Sequence, residues 1–201
     1  MITIDCEQLS PEWFAAKVGI PSAASFDQIV TTKGEPSKSR QKYMYQLAGE
    51  IVLGSKVETY VNAAMQRGTE LEPEARKAFE FIHEVVVKKV GFVFMDEQKR
   101  YGASPDGLLD EDAGLEMKCP QIQTHVGYLL DNKLPTDYFQ QVQGGMLITG
   151  LNQWHFMSYY PGMPPFIIRV DRNEGFCEKL KAELDIFCDE LAVIVNKLKA
   201  L

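Results

Sequence analysis

The 201-residue sequence lacks the long apolar segments that would place it across a membrane. No apolar run approaches the roughly 20 residues that a membrane-spanning helix needs. The first residues, MITIDCEQ, also lack the basic and then apolar regions of a secretory signal peptide. The length fits one large domain with a core of its own. We therefore expect a single domain over residues 1–201, in the cytoplasm and with no membrane partner.

Cysteine and histidine are scarce, and neither is grouped as a metal site would require. The cysteines, with no C-x-x-C pair among them, are Cys6, Cys119, Cys177 and Cys188. This scatter indicates neither a zinc site nor a disulfide framework. The histidines have no triad context, and His155 is expected to be packed rather than catalytic.

Positive charge is also in short supply, since the formal net charge is −7. That balance is awkward for a protein that binds nucleic acid, because Lys and Arg supply much of the affinity for phosphates. It does not exclude one, because basic residues gathered on one face can act locally. The candidates for such a face are Lys33, Lys38, Arg40, Lys42 and Arg67. Each of them alone is equally explained as a solvated surface charge.

Apolar periodicity and turn residues predict several helices around a few strands. The predicted helices begin at Ser10-Pro11 and at Ser22 or Ala23, and then cover about residues 39–53, 63–82, 124–132, 137–149 and 173–200. The predicted strands cover about residues 84–95, 152–160 and 166–170. The last helix has an apolar stripe from Phe176 to Ile194, which is typical of a core-facing surface.

The stretch RYGASPDGLLDEDAGLEMKCP predicts a β-hairpin. Residues 101–109 form the first predicted strand, 110–114 an acidic turn and 115–119 the return strand. Side chains alternate across a strand, so Glu116 and Lys118 share one face. Asp106 falls on, or just beside, the partner strand. The carboxylates of Asp106 and Glu116 and the amine of Lys118 are therefore expected to lie close together.

Metal chemistry accounts for this convergence. Hard cations such as Mg²⁺ take oxygen ligands, which Asp106, Glu116 and the backbone carbonyl of Met117 could supply. An amine such as that of Lys118 could orient an attacking water or stabilise charge on a phosphate. The alternative is a surface hairpin with a solvated ion pair worth about 0–1 kcal/mol.

Beyond the hairpin chemistry, the motifs resemble a known family. GASPDGLL followed by GLEMKCP is similar to the nuclease motif PD, spacer, D/E-x-K, and specifically to the lambda exonuclease or YqaJ-type viral recombinase family. Similar blocks, in the family's order, are LSPEWFAAKVGIPSAASFDQIV, RGTELEPEARKAFEF and YFQQVQGGMLITGLNQWHFMSYYP. The resemblance extends from about Leu9 to Arg169. It implies an α/β fold with a restriction-endonuclease-like core, a mixed central sheet flanked by helices. The scattered cysteines argue against the iron-sulfur branch of related nucleases.

The resemblance also implies a catalytic centre with two Mg²⁺ ions about 4 Å apart, for which Mn²⁺ is expected to substitute. The implied metal ligands are Asp106, Glu116, Glu72 and the Met117 carbonyl, with Lys118 positioning the nucleophile and Gln141 bordering the centre. Glu72 lies in a crowded acidic segment with Glu70 and Glu74, which is otherwise explained as the first turn of a helix around Pro73. A buried glutamine with its hydrogen bonds satisfied is the alternative for Gln141.

A second implied group of residues binds the 5′-phosphate of a DNA end. Its members are Lys17, Ser104, Ser25 and Arg67. The position expected to be a serine is Ala24 here, with Ser22 and Ser25 nearby. The family also has a basic residue after Lys118, where this chain has Thr124, and His125 is the nearest replacement.

The implied activity is 5′-to-3′ digestion of one strand of linear duplex DNA, which leaves 3′ overhangs for phage-type recombination. Family members are toroidal homotrimers that deliver the exposed strand to a single-strand annealing protein. Two alternatives remain open: a structure-specific endonuclease or nickase of the same fold, and a non-catalytic module that binds DNA ends. An unrelated metallohydrolase fits the combined blocks less well.

Overall fold

The computed structural model describes residues 1–57, 63–110 and 112–201. Its strands are β1 (Ile2–Ile4), β2 (Phe92–Phe94), β3 (Gly102–Ala103), β4 (Gly107–Leu109), β5 (Ala113–Lys118), β6 (Gln153–Ser158) and β7 (Phe166–Asp171). Its helices are α1 (Pro11–Ala16), α2 (Arg40–Leu53), α3 (Ala63–His83), α4 (Ile122–Asp131), α5 (Phe139–Thr149) and α6 (Glu174–Lys199). Short 3-10 helices cover Ala23–Gln28 and Thr136–Tyr138.

The main sheet is mixed, as the sequence predicts. Its strand order is β4-β5-β6-β7, in which β5 and β6 are parallel and the other two pairs are antiparallel. The parallel pair requires a long crossover, which α4 and α5 provide. A smaller antiparallel sheet has the order β1-β2-β3. None of the described helices is long and apolar enough to cross a bilayer.

The predicted first strand of the hairpin, residues 101–109, is wrong as one continuous element. The chain leaves the small sheet after β3 and enters the main sheet at β4, and residues 104–106 connect the two. Pro105 lies at the break, where its missing N–H could not have donated to a strand ladder. The return strand begins at Ala113, earlier than predicted, and residue 111 of the predicted turn lies outside the described residues.

The predicted strand over residues 84–95 is also too long. Only Phe92–Phe94 pairs as a strand, while Lys88 forms an isolated bridge with Leu108 of β4. This segment contacts both sheets in turn, so its alternating apolar residues are buried against two different neighbours.

Tight packing around Trp154 places α5 directly against the main sheet. Trp154, on β6, is 1% exposed. A Cβ at Gly114 of β5 would lie 2.2 Å from its ring, and one at Gly145 of α5 would lie 2.7 Å from it. Neither position has room for a side chain. This close approach brings the first turns of α5 over the middle of β5.

The C-terminal helix packs its apolar stripe into the largest core cluster. The buried members of the stripe are Phe176, Cys177, Leu180, Leu184, Phe187, Leu191 and Val195. The helix packs on α2 and α5, and the same core cluster includes Phe26, which is fully buried. Burial of each such side chain contributes roughly 1.5–3 kcal/mol, so α6 contributes strongly to the stability of this core cluster.

Candidate active site

The β4-β5 hairpin places Asp106 beside the middle of β5. Its backbone N–H donates to the carbonyl of Leu115 at 3.1 Å, and its carboxylate Oδ2 accepts from the Met117 N–H at 2.6 Å. Asp106 thus lies just before β4 and reaches across to the return strand, where the sequence places it.

Glu116 and Lys118 share the same face of β5 and contact each other. The Lys118 ammonium donates to Oε1 of Glu116 at 2.5 Å, and Gln141 Nε2 donates to the same oxygen at 2.6 Å. The Glu116 side chain is only 4% exposed. The alternative of a solvated surface pair is therefore wrong, because this carboxylate is buried and held from two elements.

Burial and crowding shift the ionisation of these groups. Burial raises the pKa of Asp106 well above its usual value, and the neighbouring Glu116 and Glu72 raise it further, against opposing effects of Lys118 and the Met117 N–H. Burial lowers the pKa of Lys118, but the Glu116 and Asp106 carboxylates outweigh it and hold that pKa above the ordinary lysine value. The cluster therefore concentrates negative charge that a cation would stabilise.

Glu72 reaches this cluster from α3 and is paired with Arg76, one helical turn later. Arg76 Nη2 donates to Glu72 Oε1 at 2.6 Å, and Arg76 Nη1 donates to the backbone carbonyl of Asp106. Arg76 is 7% exposed. The neighbouring Glu74 faces elsewhere and accepts from the Tyr159 hydroxyl at 2.5 Å.

Arg76 is a site residue that the sequence reasoning missed. Its spacing of four residues from Glu72, on one face of a helix, was the available signal. By contacting both Glu72 and the Asp106 carbonyl, it joins α3 to the hairpin.

The oxygen ligands gathered here are of the type that a hard divalent cation prefers, but the carboxylates are already bonded to other groups of the chain. Among the described residues, no three Asp, Glu, His or Cys side chains are gathered closely enough to hold a metal. Glu72 is bonded to Arg76, Glu116 to Lys118 and Gln141. Metal binding at these carboxylates would exchange the cationic side chains for the ion, and it would relieve the repulsion that raises the pKa of Asp106.

A narrow cleft of about 20 Å³ connects this centre to the end of α1. Glu116 and Gln141 line one part of it, and Lys17, Ala24 and Ser104 line the other. Two of the predicted phosphate ligands, Lys17 and Ser104, therefore line the same cleft as two of the predicted catalytic residues, Glu116 and Gln141.

Trp13 supports both of those phosphate-binding candidates. Its indole Nε1 donates to the Ser104 hydroxyl at 2.9 Å, and the Lys17 ammonium lies 3.6 Å from its ring centroid. The pKa of Lys17 is lowered to about 7, chiefly by burial and then by Lys56, with Glu50 acting in the opposite direction.

Ser25 and Arg67, the other predicted phosphate ligands, lie elsewhere. Ser25 hydrogen-bonds Tyr43, and the serines that line the cleft are Ser22 and Ser104. Arg67 donates to the Pro120 carbonyl at 3.0 Å and stacks on Tyr160, with 4.7 Å between its guanidinium carbon and the ring centroid. In the described structure neither residue lines the cleft.

His125 is wrong as a replacement for the family's basic residue after Lys118. It is fully buried, with Nδ1 2.8 Å from the Ser158 hydroxyl and Nε2 3.0 Å from the Pro164 carbonyl. Both ring nitrogens are therefore within hydrogen-bond distance of other groups of the fold. His155 is packed as predicted, with its ring centroid 5.5 Å from that of Phe79.

Comparisons with known proteins agree with this geometry. Residues 12–152 match the family model of the YqaJ-like viral recombinase domain. The chain is similar to LHK-Exo, an alkaline exonuclease from Laribacter hongkongensis, in two crystal structures, one of them in complex with dAMP. In both comparisons the sequences are 33% identical and the TM-score is 0.87, with 95% of this chain and 97% of that chain covered. A phage-related exonuclease from Haemophilus somnus 129PT is 15% identical with a TM-score of 0.72, over 89% of this chain and 96% of that chain, which is a likeness of fold alone. No curated protein matches by sequence.

These similarities confirm the restriction-endonuclease-like fold and support a nuclease of the exonuclease type, a class that normally uses divalent metals. The family model covers more than half of the sequence, and two residues of the motif, Pro105 and Glu116, line the cleft. The chain belongs to the YqaJ-like viral recombinase family.

Proposed function

We propose that this protein is a Mg²⁺-dependent 5′-to-3′ exonuclease that digests one strand of linear duplex DNA and leaves 3′ overhangs for annealing recombination. The observation that carries the proposal is the contact of the buried Glu116 carboxylate with Lys118 and Gln141. Glu116 and Gln141 line a cleft that Lys17 also lines. A DNA-binding surface has no need of a buried, hydrogen-bonded carboxylate-amine pair, whereas phosphodiester hydrolysis does.

In this proposal two bound Mg²⁺ ions, or Mn²⁺ in their place, would supply Lewis acidity at the scissile phosphate and acidify the attacking water. Asp106, Glu116, Glu72 and the Met117 carbonyl would hold them. Gln141 fixes the Glu116 carboxylate through its amide, so the carboxylate has one orientation. Lys118, released from Glu116, orients the nucleophile or stabilises charge on the phosphate oxygens.

Lys17 would bind the 5′-terminal phosphate, with Ser104 beside it. Trp13 orders both groups without itself carrying charge. A lysine ammonium is a point charge and accepts several phosphate orientations, unlike the bidentate fork of arginine. Successive terminal phosphates could thus be held while the next bond enters the centre.

We further propose that the protein acts in the cytoplasm as a toroidal homotrimer that passes the exposed strand to a single-strand annealing protein. This assembly is inferred from the family. A ring with a basic lumen would reconcile DNA binding with the net charge of −7. Lys33, Lys38 and Lys42 are exposed and available for such a face, whereas Arg40 is bonded to Glu183 and Glu190 at 2.9 and 3.1 Å.

The test is digestion of linear duplex labelled at either the 5′ or the 3′ end, in Mg²⁺, beside a covalently closed circle. Early release of the 5′ label with an intact circle is the expected result. Early release of the 3′ label would contradict the polarity.

The same experiment separates the alternatives. Cutting of the circle would favour an endonuclease or nickase of this fold. Tight binding to duplex ends with no cleavage in Mg²⁺ or Mn²⁺ would favour a non-catalytic module.

A further inference from the structure

A buried glutamate that the proposed hydrolysis does not use contacts the turn after Lys17. The side chain of Glu50, on α2, has no exposed surface. Its Oε2 accepts from the Lys56 ammonium at 2.8 Å and from the Gly19 backbone N–H at 3.1 Å, and its Oε1 accepts from Gln46 Nε2 at 3.3 Å. A buried charge is costly unless its bonds are satisfied, so the carboxylate and its partners hold one another in place.

The bond to Gly19 fixes the turn that follows Lys17. Gly19 has a φ of +66°, and a Cβ there would lie 2.1 Å from Cγ1 of Ile51. Both the left-handed backbone and the contact with α2 therefore require glycine. Lys17, two residues earlier, ends α1, with its N–H directed at the Phe14 and Ala15 carbonyls. The position of Lys17 is thus set from α2.

We propose that Glu50 is a positioning residue for the 5′ end of bound DNA, acting on Lys17 through Gly19 and Lys56. The inference rests on the proposed function, which assigns Lys17 to the terminal phosphate. Glu50 is not among the described residues that line the cleft, so it acts through Lys17 and does not touch DNA.

Glu50 and Lys56 act on the charge of Lys17 in opposite directions. The pKa of Lys17 is lowered to about 7, chiefly by burial and then by Lys56, whereas Glu50 raises it. The Lys17 ammonium also faces the rings of Trp13 and Phe92, and Glu116 lines the same cleft. Since only the charged ammonium attracts phosphate, loss of Glu50 and loss of Lys56 should move the pH range of phosphate recognition in opposite directions.

The test measures binding without cleavage. Glu50→Gln and Lys56→Gln are each made in a Lys118→Ala background. Affinities for the same duplex with a 5′-phosphate or a 5′-hydroxyl are then measured by fluorescence anisotropy in Ca²⁺ across the pH range around neutrality. The readout is the ratio of the two affinities, which cancels general DNA binding. Gln46→Ala, which removes only the Oε1 bond, is the matched control, and Lys17→Met should abolish the preference.

The expected result is a 5′-phosphate preference that falls as pH rises. Its midpoint should move about one pH unit lower in Glu50→Gln and higher in Lys56→Gln, with Gln46→Ala unchanged. If Glu50 had a structural role only, its loss would weaken the binding of both duplexes equally and leave the midpoint of the pH dependence unchanged. That result would overturn the inference. A shift in the same direction in both variants would also overturn it.

The failures are distinguishable. If the Lys118→Ala background binds neither duplex, the proposed function fails and this inference with it. If it binds both duplexes equally at every pH, the assignment of Lys17 fails. Should Glu50→Gln not fold, as its melting temperature would show, the upward shift in Lys56→Gln alone decides the inference.

Discussion

At the residue scale, the glutamines of α5 show how neighbouring identical side chains take different roles. Gln141 donates to Glu116 in the centre, whereas Gln143 is 1% exposed and bonds both the Asp171 carbonyl and the Asn173 N–H. The motif YFQQVQ alone does not separate these roles, because both residues are compatible with a buried amide. The resemblance to the family selected Gln141, and the structure places it at Glu116.

Gln141→Ala is expected to lower the cleavage rate roughly 10- to 100-fold with little loss of stability, because its main partner is a site carboxylate. Gln143→Ala should leave the cleavage rate per folded molecule nearly unchanged. It should cost about 1–3 kcal/mol of stability, because it leaves backbone groups unpaired. Cleavage rates per folded molecule and melting temperatures check both. Equal effects of the two variants on the rate would contradict the assignment of Gln141 to the site.

Lys17 predicts a pH dependence of stability. Its folded-state pKa, about 7, lies below the ordinary lysine value. Between these two pKa values the unfolded chain binds more protons, so this residue makes the protein more stable as pH rises above 7. Below pH 7 the penalty for burying the charged ammonium is fully present.

Lys17→Met should therefore raise the melting temperature most near pH 6, and the gain should shrink towards pH 9 or 10. Melting curves of both proteins across this range measure the difference. An unchanged difference at every pH would mean that the ammonium is not buried as described. A buried lysine that lowers stability in this way is expected where phosphate binding needs its charge.

At the scale of elements, the sequence predicted the helices and the strands at residues 152–160 and 166–170 better than the strands around residues 84–109. Long helices such as α6 can be recognised in the sequence from the periodic spacing of their apolar residues. Short strands do not, because Phe92–Phe94 and Gly107–Leu109 are defined by the strands that they pair with. The division of the predicted first strand between two sheets depends on those long-range partners.

Gly145 tests how α5 positions the site. Gly145→Ala would place a Cβ 2.7 Å from the Trp154 ring and push α5 away from β5. We expect a loss of roughly 1–3 kcal/mol together with a slower cleavage rate, because Gln141 moves with the helix.

Gly127→Ala in α4 is the matched control, since nothing lies within 4 Å of a Cβ there. It should be neutral or stabilise by about 0.5–1 kcal/mol. Melting temperature and cleavage rate per folded molecule are compared for the pair. Unimpaired stability in Gly145→Ala would mean that the contact with Trp154 is looser than described.

At the scale of the whole molecule, the residue types of the hairpin predicted the chemistry, but the sequence could not show which partners they have. Arg76 is the main example, since its bond to the Asp106 carbonyl joins α3 to the residue just before β4, 30 positions later in the chain. The single domain over residues 1–201 and the trimer stay predictions.

Light scattering of the purified protein tests the assembly. A particle with three times the monomer mass is the expected result at concentrations at which linear duplex is digested. A monomer that digests long duplex without dissociating would contradict the ring as the basis of processive action. Adding Mg²⁺ or a DNA end during the measurement distinguishes a preformed ring from one that assembles on its substrate.

The most direct test of the central claim is the cleavage rate of Lys118→Met on linear duplex in Mg²⁺, compared with Lys133→Met. Lys133 is exposed after α4 and provides the same change of charge away from the site. The account predicts a loss of at least roughly 100-fold in the rate per folded molecule for Lys118→Met, with duplex binding retained, and no loss for Lys133→Met. Lys118→Met should also lower the melting temperature, because it removes one partner of the buried Glu116 carboxylate. A Lys118→Met protein that cleaves within a few-fold of the wild-type rate would contradict the assignment of the buried Glu116-Lys118 pair as the hydrolytic centre.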